Sequence, residues 1–239
     1  MKLSIIVPAY NEAKNIPLAL ERFAEVITRS DIELILVNNG STDNSAEVLQ
    51  SLLPNYPFAR TVTVPVNQGY GYGILQGLAQ SRGEFLGWTN VYMQTDPKDV
   101  INALNLIETN DSHSKLYVKG YRTGRPWSDQ FFSLGMACFE FLWMGAWLPE
   151  INAQPNLFHR DFFASWQNPP HDFSLDLYAF YLAKKRHLNI VRFPVLFPQR
   201  IHGVSSWNTS LSAKWKFIKR TFAFSFKLKK ELKNEIHSA

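Results

Sequence analysis

A glycine-rich segment of the sequence can bind an anionic ligand. Residues 67–73 read Asn-Gln-Gly-Tyr-Gly-Tyr-Gly, and apolar spacing predicts a helix directly after them, from Ile74 to Gln80. Glycine lets the backbone approach a ligand closely, and the N-terminus of a helix favours negative charge. The segment therefore predicts a phosphate contact, with a mobile hairpin turn as the alternative.

Three arginines are further candidates for holding phosphate. Arg122 and Arg125 follow a predicted strand at Lys115 to Lys119, and Arg200 lies near a turn that ends at Ser205. A guanidinium group can hold a phosphate through two parallel hydrogen bonds. Any single arginine is more often a surface residue, but three in such positions favour anion binding.

The stretch from Gly83 to Pro97 has no carboxylate in the three residues that follow its strand. Phe85 to Thr89 predicts the strand, and Asn90-Val91-Tyr92 follows it. Asp96 is best explained as the N-cap of a helix from Pro97 to about Glu108. Hard cations require charged oxygen ligands, and this gap offers only an amide and a phenol.

Alternating strands and helices position these residues. Continuous apolar runs predict buried strands at residues 3–7, 32–37, 61–65, 85–89, 115–119 and 190–193. Helical spacing predicts helices at residues 15–28, 44–53, 74–80, 97–108 and 175–185. The alternation predicts an α/β fold with a mainly parallel sheet, helices on both faces, and ligands at the carboxyl ends of the strands.

Length and composition predict one large domain at residues 1–210 and a basic amphipathic helix at 211–239. The tail from residue 211 has eight basic and two acidic residues, or +6, and the other 17 basic and 18 acidic residues give −1. This distribution argues against a nucleic-acid-binding surface on the domain. The single cysteine, Cys138, excludes an intramolecular disulfide framework and any cysteine-based zinc site.

Seven motifs together carry a resemblance to a known family. They are SIIVPAYNE (4–12), LVNNGSTDNS (36–45), NQGYGYGILQGL (67–78), GEFLGWTNVYMQTDP (83–97), INAQPNLFHR (151–160), DFSLDLYAFYLA (172–183) and VRFPVLFPQRIHGVSSW (191–207). In this order they resemble the family 2 inverting glycosyltransferases, in the branch of polyprenyl-phosphate sugar transferases typified by dolichyl-phosphate mannose synthase. The resemblance implies a GT-A fold, a nucleotide-sugar donor and normally a divalent metal.

The resemblance implies where the nucleotide-sugar binds. At the end of the first strand it assigns Pro8, Tyr10 and Glu12, with Tyr10 stacking on the base and Glu12 accepting hydrogen bonds from it. An ordinary strand-ending turn is the alternative. Asp43 either contacts the nucleoside or caps the following helix. The remaining implied nucleotide-sugar residues are Asn39, Asn67, Gly69, Gly71, Asn90 and Tyr92.

Two neutral pairs replace acidic residues of the family pattern. Asn38 and Asn39 stand where the family usually has two aspartates, and an amide keeps an acceptor oxygen while losing the charge. Asn90 and Tyr92 stand at the Asp-x-Asp positions that hold Mg²⁺ or Mn²⁺ against the donor diphosphate. The sequence therefore assigns no metal ligand, and it argues against a tightly held metal.

The resemblance also implies the reaction. It predicts inverting transfer of a sugar from a nucleotide-sugar to a polyprenyl phosphate or a glycan. Arg122, Arg125, Asp176, Arg200 and Ser205 form the implied phosphate and acceptor site, with Asp176 at the acidic position of a late motif or at a helix start. A phosphate acceptor is already an anion, so the absence of an obvious general base favours it. The alternative is an inactive relative that binds nucleotide or lipid or partners another enzyme.

Two segments bear on membrane attachment. Residues 214–230 interleave aromatic and basic residues, as in a helix that lies on anionic lipid; packing of the phenylalanine face on the domain is the alternative. Residues 131–148 are apolar but contain Glu140, which predicts a buried or interfacial helix. We expect a cytoplasmic protein with peripheral attachment at the cytoplasmic face of the membrane.

Overall fold

The computed structural model of the protein describes residues 1–92, 94–198, 212, 215, 219 and 221–230. Seven strands in the described residues form one sheet in the order β3-β2-β1-β4-β6-β5-β7. Their bounds are β1 Leu3–Ala9, β2 Ile32–Asn39, β3 Ala59–Val64, β4 Phe85–Trp88, β5 Leu116–Thr123, β6 Asn156–His159 and β7 Asn189–Leu196. All pairings are parallel except those of β6 with β4 and β5, so the predicted mainly parallel α/β sheet is confirmed.

Helices cover both faces of the sheet, as expected. Their bounds are α1 Asn15–Val26, α2 Ser45–Leu52, α3 Tyr70–Ala79, α4 Pro97–Glu108, α5 Trp127–Met144, α6 Arg160–Ala164 and α7 Leu175–Lys185. Side chains alternate along each strand, so Ile6 and Ile35 pack with α3 and α7, whereas Ile5 and Leu34 pack with α1 and α4. These two apolar layers, one on each face of the sheet, hold the strands in place, and with them the polar residues at the carboxyl ends of the strands.

Helix α3 and strand β6 differ from the sequence prediction, and the short helix α6 was not predicted. Helix α3 begins at Tyr70 and not at Ile74, so two glycines of the glycine-rich segment belong to its first turn. Strand β6 was not predicted, because it is four residues long and contains the polar residues Asn156 and His159. It pairs antiparallel between β4 and β5, which places Asn156 beside both Trp88 and Lys119.

Helical residues 221–230 pack against α5. Phe222 stacks on Phe139 with ring centroids 3.9 Å apart, and Phe226 meets Trp143 at 4.1 Å. Packing of this aromatic face on the domain was one of the two predicted alternatives. The division of the chain at residue 210 stays a prediction. In the described part of the chain, the helices fall short of the length and apolar character needed to span a bilayer.

Candidate functional site

The carboxyl ends of β1, β2 and β4 meet at one edge of the sheet. Ala9 pairs with Asn38, and Ile6 pairs with Trp88, so Asn90 leaves its strand close to the level of Pro8. Three of the implied nucleotide-sugar segments therefore converge. In a parallel sheet this edge is the usual place for a ligand.

Side-chain hydrogen bonds join the turns after β1 and β2. The Asn11 side-chain oxygen accepts a hydrogen bond from the Thr42 backbone N–H at 2.8 Å, and Ser45 Oγ accepts one from the Glu12 N–H at 3.0 Å. Asn11 adopts a φ of 57°, a conformation that asparagine tolerates better than most residues. Tyr10 lies in this joined pair of turns and is 46% exposed, and stacking of its ring on a base stays a prediction.

The two carboxylates at this edge have structural partners. Glu12 accepts a hydrogen bond from the Asn15 side chain at 2.6 Å. Asp43 accepts one from the backbone N–H of Ser45 at 3.0 Å, where α2 begins, and another from the Ala13 N–H at 3.3 Å. Burial raises the pKa of Asp43, but hydrogen bonds from the Ser45 hydroxyl and from these two backbone N–H groups outweigh it, so the net pKa is lowered. Asp43 thus bonds to the first residue of α2, and a nucleoside contact by either carboxylate stays a prediction.

The glycine-rich segment packs against the chain itself. A Cβ on Gly69 would lie 2.4 Å from the His171 carbonyl oxygen, and one on Gly71 would lie 2.5 Å from that of Pro170. Asn67 accepts a hydrogen bond from the Gly69 N–H at 2.8 Å and so fixes the turn before α3. The close backbone approach that the glycines allow is therefore made to residues 170–172, and a phosphate contact by Gly69 or Gly71 stays a prediction.

Asn39, the last residue of β2, supports the glycine-rich segment. Its side chain is buried, and its Nδ2 donates to the Gly69 carbonyl oxygen at 3.0 Å. An ionised aspartate could not donate this hydrogen bond, so the amide suits the position. Asn39 thus acts on the site through the glycine-rich segment, and a direct ligand contact stays a prediction.

Asn90 is held on every side of its amide. Its Oδ1 accepts from the Tyr92 backbone N–H at 3.1 Å, and its Nδ2 donates to Thr95 Oγ1 and Gln154 Oε1, each at 3.1 Å. Gln154 Nε2 in turn lies 2.6 Å from the Tyr70 hydroxyl. The position that would carry a metal ligand in the family that the sequence resembles therefore carries an oriented neutral amide.

A buried polar network lies behind Asn90. Asp176 accepts hydrogen bonds from Trp88 Nε1 at 3.1 Å and Asn156 Nδ2 at 3.3 Å, and it is also bonded to the Tyr70 hydroxyl. Lys119 Nζ donates to Asn156 Oδ1 at 2.8 Å and to a backbone carbonyl. Burial lowers the pKa of Lys119 to about 7 and raises the pKa of Asp176. Asp176 is therefore an interior residue of the network.

Arg122 and Arg125 share one carboxylate. Arg122 Nε lies 2.6 Å from one oxygen of Glu150, and Arg125 Nη1 lies 2.8 Å from the other. Both guanidinium groups are largely buried, so direct phosphate contact by either stays a prediction. Arg200 and Ser205, the other two predicted phosphate and acceptor residues, lie outside the described residues.

The sequence reasoning missed the residues that connect these parts. Lys119, which directly follows the apolar run Leu116-Tyr117-Val118, was the clearest available signal, because a buried lysine needs partners. Glu150, Gln154 and Asn156 gave no local signal. They come from a short segment whose place between β4 and β5 depends on contacts far along the chain.

The residues present do not form a divalent-cation site. Asn90 and Tyr92 offer an amide oxygen and a phenol, and Asp96 is occupied as the N-cap of α4, where it accepts from the Lys98 N–H at 2.9 Å. Among the residues that the structure describes, no three His, Cys, Asp or Glu side chains are grouped as metal ligands would be. Magnesium and manganese prefer several oxygen ligands, usually including carboxylates, so this donor set does not fit them.

Comparison with known proteins identifies the family. The Glycosyl transferase family 2 profile matches residues 4–172. An undecaprenyl-phosphate 4-deoxy-4-formamido-L-arabinose transferase from Yersinia enterocolitica is 32% identical over 111 residues, which are 45% of this chain and 34% of that relative. An uncharacterized glycosyltransferase from Nostoc is 30% identical over 126 residues, covering 46% of this chain and 39% of that protein. The chain thus spans only about a third of the length of the first of these relatives.

Solved structures agree on the fold. The glucosyl-3-phosphoglycerate synthase of Mycobacterium tuberculosis, in complex with Mn²⁺, UDP and glucosyl-3-phosphoglycerate, matches with a TM-score of 0.75 at 16% identity, over 95% of this chain and 79% of that one. The same enzyme in complex with UDP matches with a TM-score of 0.75 at 17% identity and the same coverage. The expected GT-A fold is confirmed, and the chain belongs to glycosyl transferase family 2.

Proposed function

We propose that the protein transfers a sugar from a nucleoside-diphosphate donor to a polyprenyl phosphate, with inversion at the anomeric carbon. The observation that carries the proposal is the family 2 match over residues 4–172, which includes all three strand ends of the candidate site. Curated relatives that match the chain are undecaprenyl-phosphate sugar transferases. Their acceptor is the source of the proposed acceptor class.

The chemistry is an in-line displacement. An oxygen of the acceptor phosphate attacks the anomeric carbon and forms the new C–O bond, while the bond to the donor diphosphate breaks on the opposite side and the nucleoside diphosphate leaves. A phosphate monoester is already ionised near neutral pH, so it needs no base to remove a proton. This agrees with a site edge where Glu12 and Asp43 bond to residues at the starts of α1 and α2.

A transfer assay tests the proposal. The protein is incubated in detergent with undecaprenyl phosphate and a panel of UDP- and GDP-sugars, and lipid products are identified by mass spectrometry. We expect a glycosylated lipid phosphate with at least one donor. Undecaprenol, which lacks the phosphate, is the control acceptor and should give no product. Equal transfer to undecaprenol would contradict a phosphate acceptor.

The second candidate is a relative that binds nucleotide or lipid without turnover. The observation that favours it is the pair Asn90 and Tyr92, which replaces both carboxylates of the family metal site. Nucleotide binding without product over the whole donor panel, with both undecaprenyl phosphate and glycan acceptors, would favour this candidate over transfer. Absence of nucleotide binding would contradict both.

We further propose peripheral attachment to the cytoplasmic face of a membrane through α5. The helix presents an exposed apolar stripe at helical spacing, formed by Trp127, Phe131, Leu134, Phe141 and Leu142. Lys227, Lys229 and Lys230 lie in the helical segment 221–230, which packs on another face of α5 through Phe139 and Trp143. Apolar side chains next to lysines suit the surface of an anionic leaflet.

Liposome sedimentation tests this attachment. The wild type should sediment with vesicles that contain phosphatidylserine at low salt, and replacing Phe131 and Leu142 by serine should reduce the bound fraction several-fold. Leu106→Ser, which removes an exposed leucine from α4, is the matched control and should bind like the wild type. Binding by the wild type to neutral vesicles alone, or none at all, would contradict the proposal.

A further inference from the structure

The inference concerns how this site handles the charge of a donor diphosphate, and it rests on the proposed function. A nucleoside diphosphate carries two to three negative charges near neutral pH. In the usual family pattern, two carboxylates recruit a divalent cation that offsets this charge. Asn90 and Tyr92 stand at these two positions and supply no carboxylate, so this chain must offset the diphosphate charge in another way.

The Asn90 amide is fixed by a chain of hydrogen bonds that starts in the interior. Asp176 accepts from donor groups on Trp88 and Asn156, and the Tyr70 hydroxyl bonds to the same carboxylate. The Tyr70 hydroxyl donates its proton to Asp176, so its oxygen accepts a hydrogen bond from Gln154 Nε2. The other polar atom of the Gln154 amide, Oε1, accepts a hydrogen bond from Asn90 Nδ2. The direction of each hydrogen bond follows from the bond before it, starting at Asp176, because a carboxylate accepts hydrogen bonds and an N–H donates them.

This direction determines what Asn90 can offer. Both hydrogens of its Nδ2 are directed to Thr95 and Gln154, and its Oδ1 already accepts from the Tyr92 N–H. One lone pair of a neutral oxygen remains for any cation. A single neutral ligand of this kind holds Mg²⁺ or Mn²⁺ weakly, because these ions are bound mainly by charged oxygens.

Behind Gln154 lies an excess of positive charge. Four basic residues, Lys119, Arg122, Arg125 and Arg192, oppose two acidic ones, Glu150 and Asp176, which leaves a net charge of +2. The excess is the same if Lys119 and Asp176 are both neutral or both ionised. Gly120 packs against the backbone of Gln154, since a Cβ on it would lie 2.4 Å from the Gln154 carbonyl oxygen. We call these six residues the basic cluster. Its Lys119 precedes Gly120 and donates to the carbonyl oxygen of Ala153, the residue before Gln154, whose side chain bonds to Asn90.

Burial makes this charge effective at short range. The side chains of Arg122 and Arg125 are 10% and 5% exposed, so water screens them poorly. A charge in such surroundings acts on its neighbours more strongly than a surface charge at the same distance. The basic cluster therefore makes the surroundings of Gln154, the residue that bonds to Asn90, favourable to negative charge.

We propose that this chain binds the donor diphosphate without a divalent cation, with the basic cluster supplying the offsetting charge and the oriented Asn90 amide replacing the metal-binding carboxylate. The proposed class of ligand is a nucleoside diphosphate or its sugar ester in the metal-free form.

Calorimetry on the wild-type protein tests the proposal. UDP, GDP and TDP are each titrated in EDTA and again with excess Mn²⁺. We expect at least one nucleotide to bind in EDTA, with a dissociation constant that Mn²⁺ changes by less than about threefold, or about 0.7 kcal/mol. Tightening by tenfold or more in Mn²⁺ would overturn the inference but leave the proposed function standing. Absence of binding under both conditions would overturn both.

A double variant that restores the family carboxylates provides a second readout. Asn90→Asp with Tyr92→Asp should weaken nucleotide binding in EDTA by about tenfold or more, because two carboxylates repel the diphosphate. Added Mn²⁺ should then restore the nucleotide affinity of the variant, and electron paramagnetic resonance should detect the bound ion. If the variant fails to fold, judged by circular dichroism, the wild-type comparison still decides.

A charge-matched control separates this effect from a change in net charge. Asn102→Asp with Asn105→Asp adds the same two carboxylates on the exposed face of α4, away from the strand ends. This control should bind nucleotide like the wild type and remain indifferent to Mn²⁺. Mn²⁺ dependence in the control, or identical behaviour of both double variants, would contradict the role assigned to the Asn90 position.

Discussion

Glu140 provides a quantitative prediction about the contact between α5 and helical residues 221–230. The residue has no exposed surface, and its Oε1 lies 2.6 Å from Ser225 Oγ. The Ser225 hydroxyl also lies 3.0 Å from the Thr221 carbonyl oxygen, and its single proton can serve only one of the two acceptors. Glu140 Oε2 has no hydrogen-bond partner among the described residues. A protonated Glu140 satisfies this arrangement better than an ionised one.

Burial raises the pKa of Glu140 from 4.5 to about 7, against the opposing effect of the Ser225 hydrogen bond. Between these two pH values the folded protein keeps a proton that the unfolded chain has lost, so the free energy of unfolding falls as pH rises. At 1.36 kcal/mol for each pKa unit, the loss reaches at most about 3 kcal/mol by pH 8. Glu140→Gln does not titrate and should lack this loss. The neighbouring Tyr181 has a raised pKa and stays neutral throughout the range.

Urea unfolding monitored by circular dichroism measures the effect at pH 5, 6, 7 and 8. The wild type should lose about 2 kcal/mol relative to Glu140→Gln between pH 5 and pH 8, and most of the loss should fall between pH 5 and pH 7. Glu21→Gln, an exposed change on α1, is the control and should follow the wild type. Parallel curves for the wild type and Glu140→Gln would refute the reasoning.

Two further substitutions test the interior of the site. Asn39→Asp should destabilise the protein by about 2 kcal/mol at pH 8 and less at pH 5, because an ionised carboxylate would face the Gly69 carbonyl oxygen while a protonated one can donate to it. Glu150→Gln should cost about 3 kcal/mol, because it leaves Arg122 and Arg125 buried without a counter-charge. Urea unfolding measures both effects, and a change below about 0.5 kcal/mol would contradict either assignment.

A surface ion pair provides the control for Glu150→Gln. Glu108→Gln removes a carboxylate that pairs with Arg29 at 2.9 Å, where both side chains are about a third exposed. Exposed pairs of this kind contribute about 0–1 kcal/mol, so the substitution should have little effect. A cost equal to that of Glu150→Gln would show that burial does not distinguish the two sites.

Local sequence patterns predicted most of the regular elements. The bounds of α4 and α7 match the predictions, because Asp96-Pro97 marks one helix start and apolar residues run through the other helix. The start of α3 was placed four residues late, since glycines normally disfavour a helix interior. Here Gly71 is required where residues 170–172 cross the first turn, and no local pattern reveals that contact.

The candidate site was predicted in part. The strand ends that carry Pro8, Asn39 and Asn90 do converge, because parallel strands place their carboxyl ends together. The orientation of the Asn90 amide was beyond the sequence, since it depends on Gln154 and Asp176, which are 64 and 86 residues away along the chain. Such non-local polar contacts form only after the sheet and helices have packed.

A crystal structure with Mn²⁺ and the nucleoside diphosphate that binds in calorimetry, with anomalous data collected at the manganese edge, tests the central claim most directly. The account predicts nucleotide density at the joined ends of β1, β2 and β4, with the base near Tyr10 and no manganese peak beside Asn90. A manganese peak that bridges Asn90 and the diphosphate, or nucleotide bound away from these strand ends, would contradict it.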